Sequence, residues 1–259
     1  MKKYVLDMTV SGVCRINEKY VLLKLTHSEK LPSMQPGQFV EVRVDGSPTT
    51  YLRRPISINL VDRERNELWL LVAAIGDGTR RIAMLKKGDA LNCVLPLGRG
   101  FTMPASADDR VLLVGGGVGV APLLYMGMVM RGRGMEPMFL LGARSAADLL
   151  LIDEFRKYGR VFVTTEDGSY GERGFVTDHS ILRSERFTMI GTCGPKPMMI
   201  AVARYAAAEG IECEASLENR MACGVGACLC CVEDTTGGNV CVCTEGPVFN
   251  TKQLKWLDR

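Results

Sequence analysis

The sequence has little histidine and little excess charge of either sign. Its 259 residues include two histidines, His27 and His179, which we interpret as surface or core residues, not as acid–base groups. The net charge is +3, and the basic residues are scattered along the chain, a pattern that does not favour nucleic-acid binding. We find no internal repeat and no low-complexity linker.

A secretion signal and a membrane span are also missing. Lys2 and Lys3 lead directly into a segment of alternating apolar and polar residues, so we expect a cytoplasmic protein without disulfides. The uncharged run 111–130 has the length of a membrane span, but glycines at 115–119 and Pro122 interrupt it. This run therefore predicts a buried strand, a turn and a helix.

The composition and the hydrophobic patterns indicate an ordinary globular chain with more than one core. Hydrophobic residues make up 47% and charged residues 24%. Residues 1–104 contain short alternating strands and predict a small antiparallel β-barrel. In residues 105–217, strands alternate with helices and predict a doubly wound parallel α/β sheet. Residues 218–259 form a third, smaller segment that we expect to depend on a metal centre.

Cysteines are concentrated near the end of the sequence. Six of the ten lie between Cys223 and Cys243. Cys223, Cys228 and Cys231 have the C-x4-C-x2-C spacing of plant-type [2Fe–2S] ligands, which needs a fourth cysteine farther on. Either Cys241 or Cys243 could supply it, and we favour Cys243 because the turn 244–247 follows it and can close the site.

Zinc is the main alternative for these cysteines. Zinc sites prefer two pairs at CxxC-like spacing. Cys228 and Cys231 form one such pair, whereas Cys241 and Cys243 form a poor second one. The spacing thus favours a [2Fe–2S] cluster, which transfers one electron at a time.

A glycine-rich turn follows the strand that begins near residue 110. In such a turn the backbone can approach a pyrophosphate, and the following helix presents N–H groups. Pro122 stands where the usual dinucleotide pattern has glycine or alanine, and a tight packing turn is the alternative. The candidate dinucleotide-binding residues here are Gly115, Gly116, Gly117, Gly119 and Pro122.

Two further strand ends reach the same predicted edge of the sheet. Cys193, Gly194 and Pro195 could place a thiol near a nicotinamide ring, and Asp167, in the turn 166–169, could contact a ribose. Each could equally be an ordinary strand terminus or solvated turn. Arg144 and Ser145 could meet a 2′-phosphate, but we favour NAD over NADP.

A pair of arginines precedes a hydroxyl in the predicted barrel. Arginine suits bidentate contact with a diphosphate, and Ser57 could bind the edge of a flavin ring. Gly78 and Thr79 begin a predicted helix that could approach the same phosphates. Without further context, Arg53 and Arg54 are equally well explained as solvated charges.

Taken in order, these motifs resemble the ferredoxin–NADP reductase superfamily. The appended cysteine segment makes the chain similar to the electron transfer subunits of class 1B dihydroorotate dehydrogenases, over essentially its whole length. The resemblance implies that residues 1–104 bind FAD, that 105–217 bind NAD, and that 218–259 hold the cluster. It assigns the cluster ligands as Cys223, Cys228, Cys231 and Cys243. It assigns the FAD contacts as Arg54, Pro55, Ile56, Ser57, Leu71, Val72, Ala73, Gly78 and Thr79.

The resemblance further implies a role in pyrimidine biosynthesis. Electrons would pass from dihydroorotate through FMN in a separate catalytic subunit, then through the cluster and FAD to NAD+. Two copies of each subunit would form a heterotetramer, and no residue of this chain would act as the catalytic base. Two alternatives are an NAD(P)H reductase subunit serving ferredoxin or a hydrogenase, and a non-enzymatic zinc or redox-sensing protein.

Overall fold

The computed structural model describes residues 2–257. Alternating apolar residues of the first hundred positions form six antiparallel strands that close into a barrel in the order β1-β2-β5-β4-β3-β6. A short helix, α1, lies between β5 and β6. The elements are β1 (Tyr4–Arg15), β2 (Tyr20–Thr26), β3 (Phe39–Val42), β4 (Arg54–Asp62), β5 (Glu67–Ala73), α1 (Asp77–Ile82) and β6 (Ala90–Leu97).

The middle of the chain forms a largely parallel sheet flanked by helices. Its strand order is β10-β9-β8-β7-β11-β12-β15. From β7, the next strands along the chain are added on one side and the later ones, from β11, on the other, so the topological switch point lies between β7 and β11. Ligands bind at such a switch point, beyond the carboxyl ends of the strands. The elements are β7 (Val111–Gly116), α2 (Ala121–Gly132), β8 (Met138–Ala143), α3 (Ile152–Arg156), β9 (Arg160–Thr165), β10 (Glu172–Arg173), α4 (Ile181–Ser184), β11 (Met189–Cys193), α5 (Lys196–Ala208) and β12 (Glu212–Ser216).

The cysteine-rich segment is tied to both larger domains. It contains the hairpin β13 (Val232–Thr235) and β14 (Gly238–Cys241), the helix α6 (Val242–Glu245) and the strand β15 (Val248–Asn250). β15 pairs antiparallel with β12 and is thus the seventh strand of the nucleotide-domain sheet. Its small core is shared with the barrel through Phe39 and Leu97.

Two buried hydrogen bonds join the barrel to α2. The Asn59 side-chain amide donates to the carbonyl of Ala121 at 2.9 Å, and the Tyr125 hydroxyl donates to the carbonyl of Met34 at 3.0 Å. Both bonds are shielded from water, so breaking one leaves a costly unpaired group. They fix the glycine-rich turn, which ends at α2, against the barrel.

The predicted fold class is confirmed. The chain forms an antiparallel barrel, then a largely parallel nucleotide-binding sheet, and then a small cysteine-rich segment. The uncharged run of residues 111–130 forms a strand, a turn and a helix, as predicted. Within residues 2–257, no helix is long and apolar enough to cross a membrane. The helix α3 begins only at Ile152, since Leu151 before it has a φ of +57° and helical geometry starts after that residue.

Candidate functional site

The four sulfurs assigned to the cluster form two pairs. Cys223 contacts the side chain of Cys228, and Cys231 contacts the side chain of Cys243. A [2Fe–2S] cluster bound by four cysteines takes two thiolates on each iron, which matches two pairs. Among residues 2–257, no group of three Cys, His, Asp or Glu side chains surrounds a position for one metal ion.

The loop that carries the first three cysteines depends on two glycines. Gly224 and Gly226 have φ values of +66° and +86°, which residues with a β-carbon adopt at a cost. A β-carbon on Gly226 would also lie 2.8 Å from Thr244 Cγ2, so the glycine lets the loop approach the start of the closing turn. The N–H of Val225 donates to Cys223 Sγ at 3.5 Å.

Both candidates for the fourth ligand lie near Cys231, but their surroundings differ. The backbone N–H of Cys243 donates to Cys231 Sγ at 3.4 Å, and the Cys243 sulfur accepts from the N–H of Gly226. Cys243 is buried, whereas Cys241 is half-buried at the end of β14. The Gly226 contact places Cys243 inside the cysteine loop and supports its choice as the ligand.

Among the cluster cysteines, backbone hydrogen-bond donors lower the pKa of one thiol and burial raises the pKa of another. Hydrogen bonds from backbone N–H groups, chiefly that of Val225, lower the pKa of Cys223 to about 6. Burial raises the pKa of Cys243 to about 12. Cys223 thus readily supplies a thiolate, whereas Cys243 loses its proton only when a cation compensates the charge. Iron ions would provide that compensation, so the donor set fits a cluster.

A buried carboxyl lies under the cysteine loop. Glu41 on β3 is 0% exposed, and neither of its side-chain oxygens has a hydrogen-bond partner among the described residues. A β-carbon on Gly224 would lie 2.6 Å from Glu41 Cγ, so the loop packs directly on this side chain. Burial raises the pKa of Glu41 to about 7, partly opposed by the Arg53 guanidinium and reinforced by Cys223.

We expect Glu41→Gln to stabilise the protein increasingly as pH rises. The unfolded carboxyl ionises near 4.5, whereas the folded one stays protonated up to about 7. The free energy of unfolding therefore falls as pH rises from about 4.5 to about 7, by at most about 3 kcal/mol, and does not fall further above pH 7. Anaerobic melting curves should show Glu41→Gln raising Tm by roughly 5 °C at pH 8 and hardly at pH 5. The exposed Glu64→Gln is the control, and an equal gain at both pH values would contradict the assignment.

One cavity, which we call the FAD cavity after the predicted contacts that line it, lies where the barrel, the glycine-rich turn and the cysteine segment meet. Its volume is about 400 Å³, within the range of small-molecule sites. Eight of the nine predicted FAD contacts line it, namely Arg54, Pro55, Ile56, Ser57, Leu71, Ala73, Gly78 and Thr79. Val72 does not line it, because alternate residues of a strand point to opposite faces, and Val72 is buried in the barrel core.

The two neighbouring arginines have separate roles. Arg53 donates to the carbonyls of Glu41 and Asn92, both at 3.2 Å, and to Asn92 Oδ1 at 2.5 Å, so it holds barrel strands together. Arg54 lines the cavity, and among residues 2–257 it donates only to nearby carbonyls of its own segment, those of Leu52 and Arg53. Its guanidinium is therefore available to a phosphate, whereas that of Arg53 is not.

A glycine at the start of α1 shapes the same wall. A β-carbon on Gly78 would lie 2.9 Å from Arg54 Nε and 3.0 Å from Thr50 Cγ2, so glycine lets the arginine lie against the helix. The Thr79 hydroxyl accepts from the N–H groups of Ile75 and Gly76 at 3.2 and 3.1 Å. This arginine-bearing cradle, which a β-carbon would partly fill, fits the diphosphate of FAD.

A second cavity, which we call the nucleotide cavity, opens at the switch point of the sheet. Its volume is about 670 Å³, and its lining includes the predicted residues Gly116, Gly117 and Pro195. Arg144, Asp148 and Glu166 line it too, while Ser145 donates its hydroxyl to Asp148 at 3.0 Å. Asp167 lies outside the lining and accepts from Ser169, whose hydrogen bonds lower the pKa of Asp167.

The glycines of the turn divide between packing and the cavity. A β-carbon on Gly119 would overlap the backbone of Gly194, and one on Gly115 would lie 2.8 Å from Leu123 Cδ1. Gly117 has a φ of +55°, and a β-carbon there would meet only the Tyr20 hydroxyl, at 4.0 Å. Gly115 and Gly119 thus serve packing, whereas Gly117 faces the cavity, and its approach to a pyrophosphate stays a prediction. Pro122, in the first turn of α2, is buried and outside the lining.

The predicted Cys193 thiol is enclosed by protein. Cys193 is 1% exposed, pairs in register with Gly115, and lies outside the nucleotide cavity lining, as does Gly194. Burial raises the pKa of this thiol well above its ordinary value, and Glu218 and a hydrogen bond with Ser216 also act on it. Its role beside a nicotinamide stays a prediction.

Several residues on the two cavities escaped the sequence reasoning. The FAD cavity is also lined by Phe39, Val118, 217–221 and Pro247, and the nucleotide cavity by Lys19 and Tyr20 of the barrel. Only the position of 217–221, immediately before the first cluster cysteine, is a signal that sequence could have provided. The others reach the cavities through long-range packing.

Comparison with known proteins places these features in a family context. Residues 218–255 match the family model described as the iron-sulfur cluster binding domain of dihydroorotate dehydrogenase B, and residues 113–204 match the oxidoreductase NAD-binding domain.

Similar curated proteins cover nearly the whole chain. A dihydroorotate dehydrogenase B (NAD(+)) electron transfer subunit from Shouchella clausii is 43% identical over 83% of this chain and 84% of its own length. The protein of that name from Geobacillus kaustophilus is 38% identical over 95% of this chain and 97% of its own length. A solved structure of an NADH-dependent reduced ferredoxin-NADP oxidoreductase is 28% identical, with a TM-score of 0.86, over 97% of this chain and 90% of that one.

Proposed function

Since this chain belongs to the family of dihydroorotate dehydrogenase B electron transfer subunits, we propose that it passes electrons from a separate dihydroorotate-oxidising subunit to NAD+. The chain is an NAD-linked oxidoreductase subunit of pyrimidine biosynthesis, and its cofactors are FAD, a [2Fe–2S] cluster and NAD. The partner we propose is the FMN-containing catalytic subunit.

The position of the FAD cavity carries this proposal. Its wall includes Glu218 to Met221, which directly precede Cys223, and also Val118 and Ala121 from the turn and helix beside the nucleotide cavity. A flavin there would lie between the cluster segment and the nucleotide site. When bound, flavin exchanges electron pairs with nicotinamides and single electrons with iron–sulfur centres, so it connects the two kinds of chemistry.

The residues of this chain bind and orient these groups and take no proton from dihydroorotate. Arg54 would hold the diphosphate, Ser57 the flavin edge, and the two cysteine pairs the irons. His27 is half-buried with its Nδ1 accepting from the N–H of Glu29, and His179 is buried with its Nδ1 accepting from the N–H of Ile181. Neither histidine lines either cavity. The base for dihydroorotate therefore belongs to the partner in this proposal.

The exposed end of the cysteine loop is where we propose that the catalytic subunit docks. Cys228 is exposed, and beside it Leu229 is 64% exposed with a φ of +57°, while Val225 is 41% exposed. These two exposed apolar side chains offer area that a docked surface would remove from water. Docking here would place the partner next to a cluster ligand.

We also propose two copies of each subunit in the complex and a cytoplasmic location. All ten cysteines are free, which supports a reducing compartment. The stoichiometry can be checked by light scattering of the purified complex, for which a mass other than that of two of each subunit would count against it.

Co-expression with an FMN-containing dihydroorotate dehydrogenase tests this function. We expect a complex that reduces NAD+ with dihydroorotate, whereas this chain alone should reduce artificial acceptors with NADH only. Leu229→Glu should weaken complex formation by about tenfold or more, because it buries a charge at the contact. The control is Met84→Glu, since Met84 is also 64% exposed but lies after α1.

Two outcomes would contradict the proposal. Oxidation of dihydroorotate by this chain alone would place the catalytic base on it. A flavin and iron–sulfur protein that binds no such partner would transfer the assignment to the ferredoxin- or hydrogenase-linked alternative.

A further inference from the structure

The nucleotide cavity has a wall that comes from the barrel. Lys19 and Tyr20, at the turn between β1 and β2, line it together with Gly116, Gly117 and Pro195 of the nucleotide domain. The cavity is therefore complete only when the two domains are packed together. No motif of the sequence points to these two barrel residues.

The turn that carries them is held in place from both sides. Asn17 Oδ1 accepts from the backbone N–H groups of Lys19 and Tyr20 at 2.9 and 3.0 Å, an Asx-type turn. The Asn17 side-chain amide donates across the domain boundary to the carbonyl of Ala147 at 3.3 Å. The N–H of Ala74 donates to the carbonyl of Lys19 at 2.8 Å, which fixes the turn against the end of β5.

Tyr20 directs its hydroxyl toward the glycine-rich turn. Its ring is half-buried and packs on the core cluster that includes Val120 and Ala121. Burial, followed by the negative charge of Asp148, raises the pKa of Tyr20, so the hydroxyl stays protonated and can donate. The backbone of Gly117 lies close by, since a β-carbon on it would be in ordinary van der Waals contact with the Tyr20 hydroxyl, at 4.0 Å.

Lys19 supplies positive charge to a cavity whose lining has few cationic residues. Among the described residues that line it, only Lys19 and Arg144 are cationic, against Asp148 and Glu166. The Lys19 side chain is exposed and makes no hydrogen bond or ion pair within residues 2–257. A dinucleotide brings two phosphate charges, and a lysine amine is a compact cation that attracts them.

From this geometry we propose that Lys19 and Tyr20 bind the pyrophosphate and an adjoining ribose of NAD, beside Gly117 of the glycine-rich turn. The proposal rests on the assignment of NAD to this cavity. It makes the β1–β2 turn of the FAD barrel part of the NAD site, so that NAD binding also holds the two domains together. Both residues are binding residues and take no part in hydride transfer.

The test is NADH-dependent reduction of ferricyanide by the full chain with FAD and cluster bound. Lys19→Met is expected to raise KM for NADH about tenfold, and Tyr20→Phe about threefold, with kcat within about twofold of the parent. Raising the salt concentration should increase KM of the parent and have less effect on Lys19→Met. Lys19→Arg should retain most of the affinity.

Lys87→Met is the matched control, since Lys87 is another exposed barrel lysine outside this cavity. The proposal is overturned if Lys19→Met and Tyr20→Phe give the same KM as Lys87→Met, or if they lower kcat with KM unchanged. The assay needs no catalytic subunit, so its result is separate from whether the chain serves dihydroorotate oxidation. A parent protein that shows no NADH oxidation would overturn both proposals.

Discussion

Replacing Cys243 with alanine is expected to abolish the [2Fe–2S] cluster and to reduce dihydroorotate-dependent NAD+ reduction about a hundredfold or more. Cys243 is buried, contacts Cys231, and accepts from the N–H of Gly226 inside the cysteine loop. Alanine offers no atom that could replace its sulfur, so one iron would have a single protein ligand. Iron content and visible absorption of anaerobically purified protein measure the loss.

Cys230 and Cys241, the two cysteines of the cysteine-rich segment that are not assigned as ligands, provide matched controls for this prediction. Cys230 is exposed between two ligands, and Cys230→Ala should retain iron, absorption and activity. Cys241→Ala should also retain the cluster, although Cys241 lies close to Cys231. Loss of iron in Cys241→Ala with retention in Cys243→Ala would reassign the fourth ligand. NADH-dependent ferricyanide reduction should persist in Cys243→Ala, because it needs the flavin and not the cluster.

Arg54→Met is expected to weaken FAD binding by about tenfold to a hundredfold, since hydrogen bonds to charged groups contribute roughly 1.5–3 kcal/mol. Arg54 lines the FAD cavity beside Gly78, and within residues 2–257 its guanidinium donates to the carbonyls of Leu52 and Arg53 and forms no salt bridge. The variant should lose flavin on dilution while keeping its iron. The ratio of flavin to iron, and flavin release followed by fluorescence, measure this effect.

Two other arginines distinguish phosphate binding from barrel stability. Arg53→Met should lower Tm without a specific loss of FAD affinity, because Arg53 joins barrel strands through Glu41 and Asn92. Arg65→Met, at a surface position, should change neither quantity. A large excess of FAD should restore ferricyanide reduction in Arg54→Met by mass action. Full flavin retention in Arg54→Met would show that another residue binds the diphosphate.

Most of the fold was predictable from sequence because its signals are local. Alternating residues in 1–104 predicted the short strands of the barrel, and the apolar run with a glycine-rich turn predicted β7 followed by α2. Shorter elements were missed where no such pattern exists, as with β10, which has only two residues. The strand β15 was missed because its three residues pair with β12, more than thirty positions earlier in the chain.

The candidate sites were only partly predictable. The spacing of Cys223, Cys228 and Cys231 within nine residues indicated a cluster, since ligands that share a loop reveal themselves by spacing. The choice of Cys243 needed the Gly226 contact as further support. The domain limits drawn from the hydrophobic patterns, the FAD contacts implied by family resemblance and the NAD contacts inferred from motifs stay predictions for the experiments above.

By itself, the sequence determined the order of barrel, nucleotide sheet and cysteine segment, and the kind of chemistry at each. Tertiary structure alone decided which of two adjacent arginines faces the FAD cavity, that Glu41 lies beneath Gly224, and that Tyr20 faces Gly117. The physical reason is that strand pairing and domain packing bring together residues tens to more than a hundred positions apart. Such contacts depend on how whole elements pack, and no short stretch of sequence contains that information.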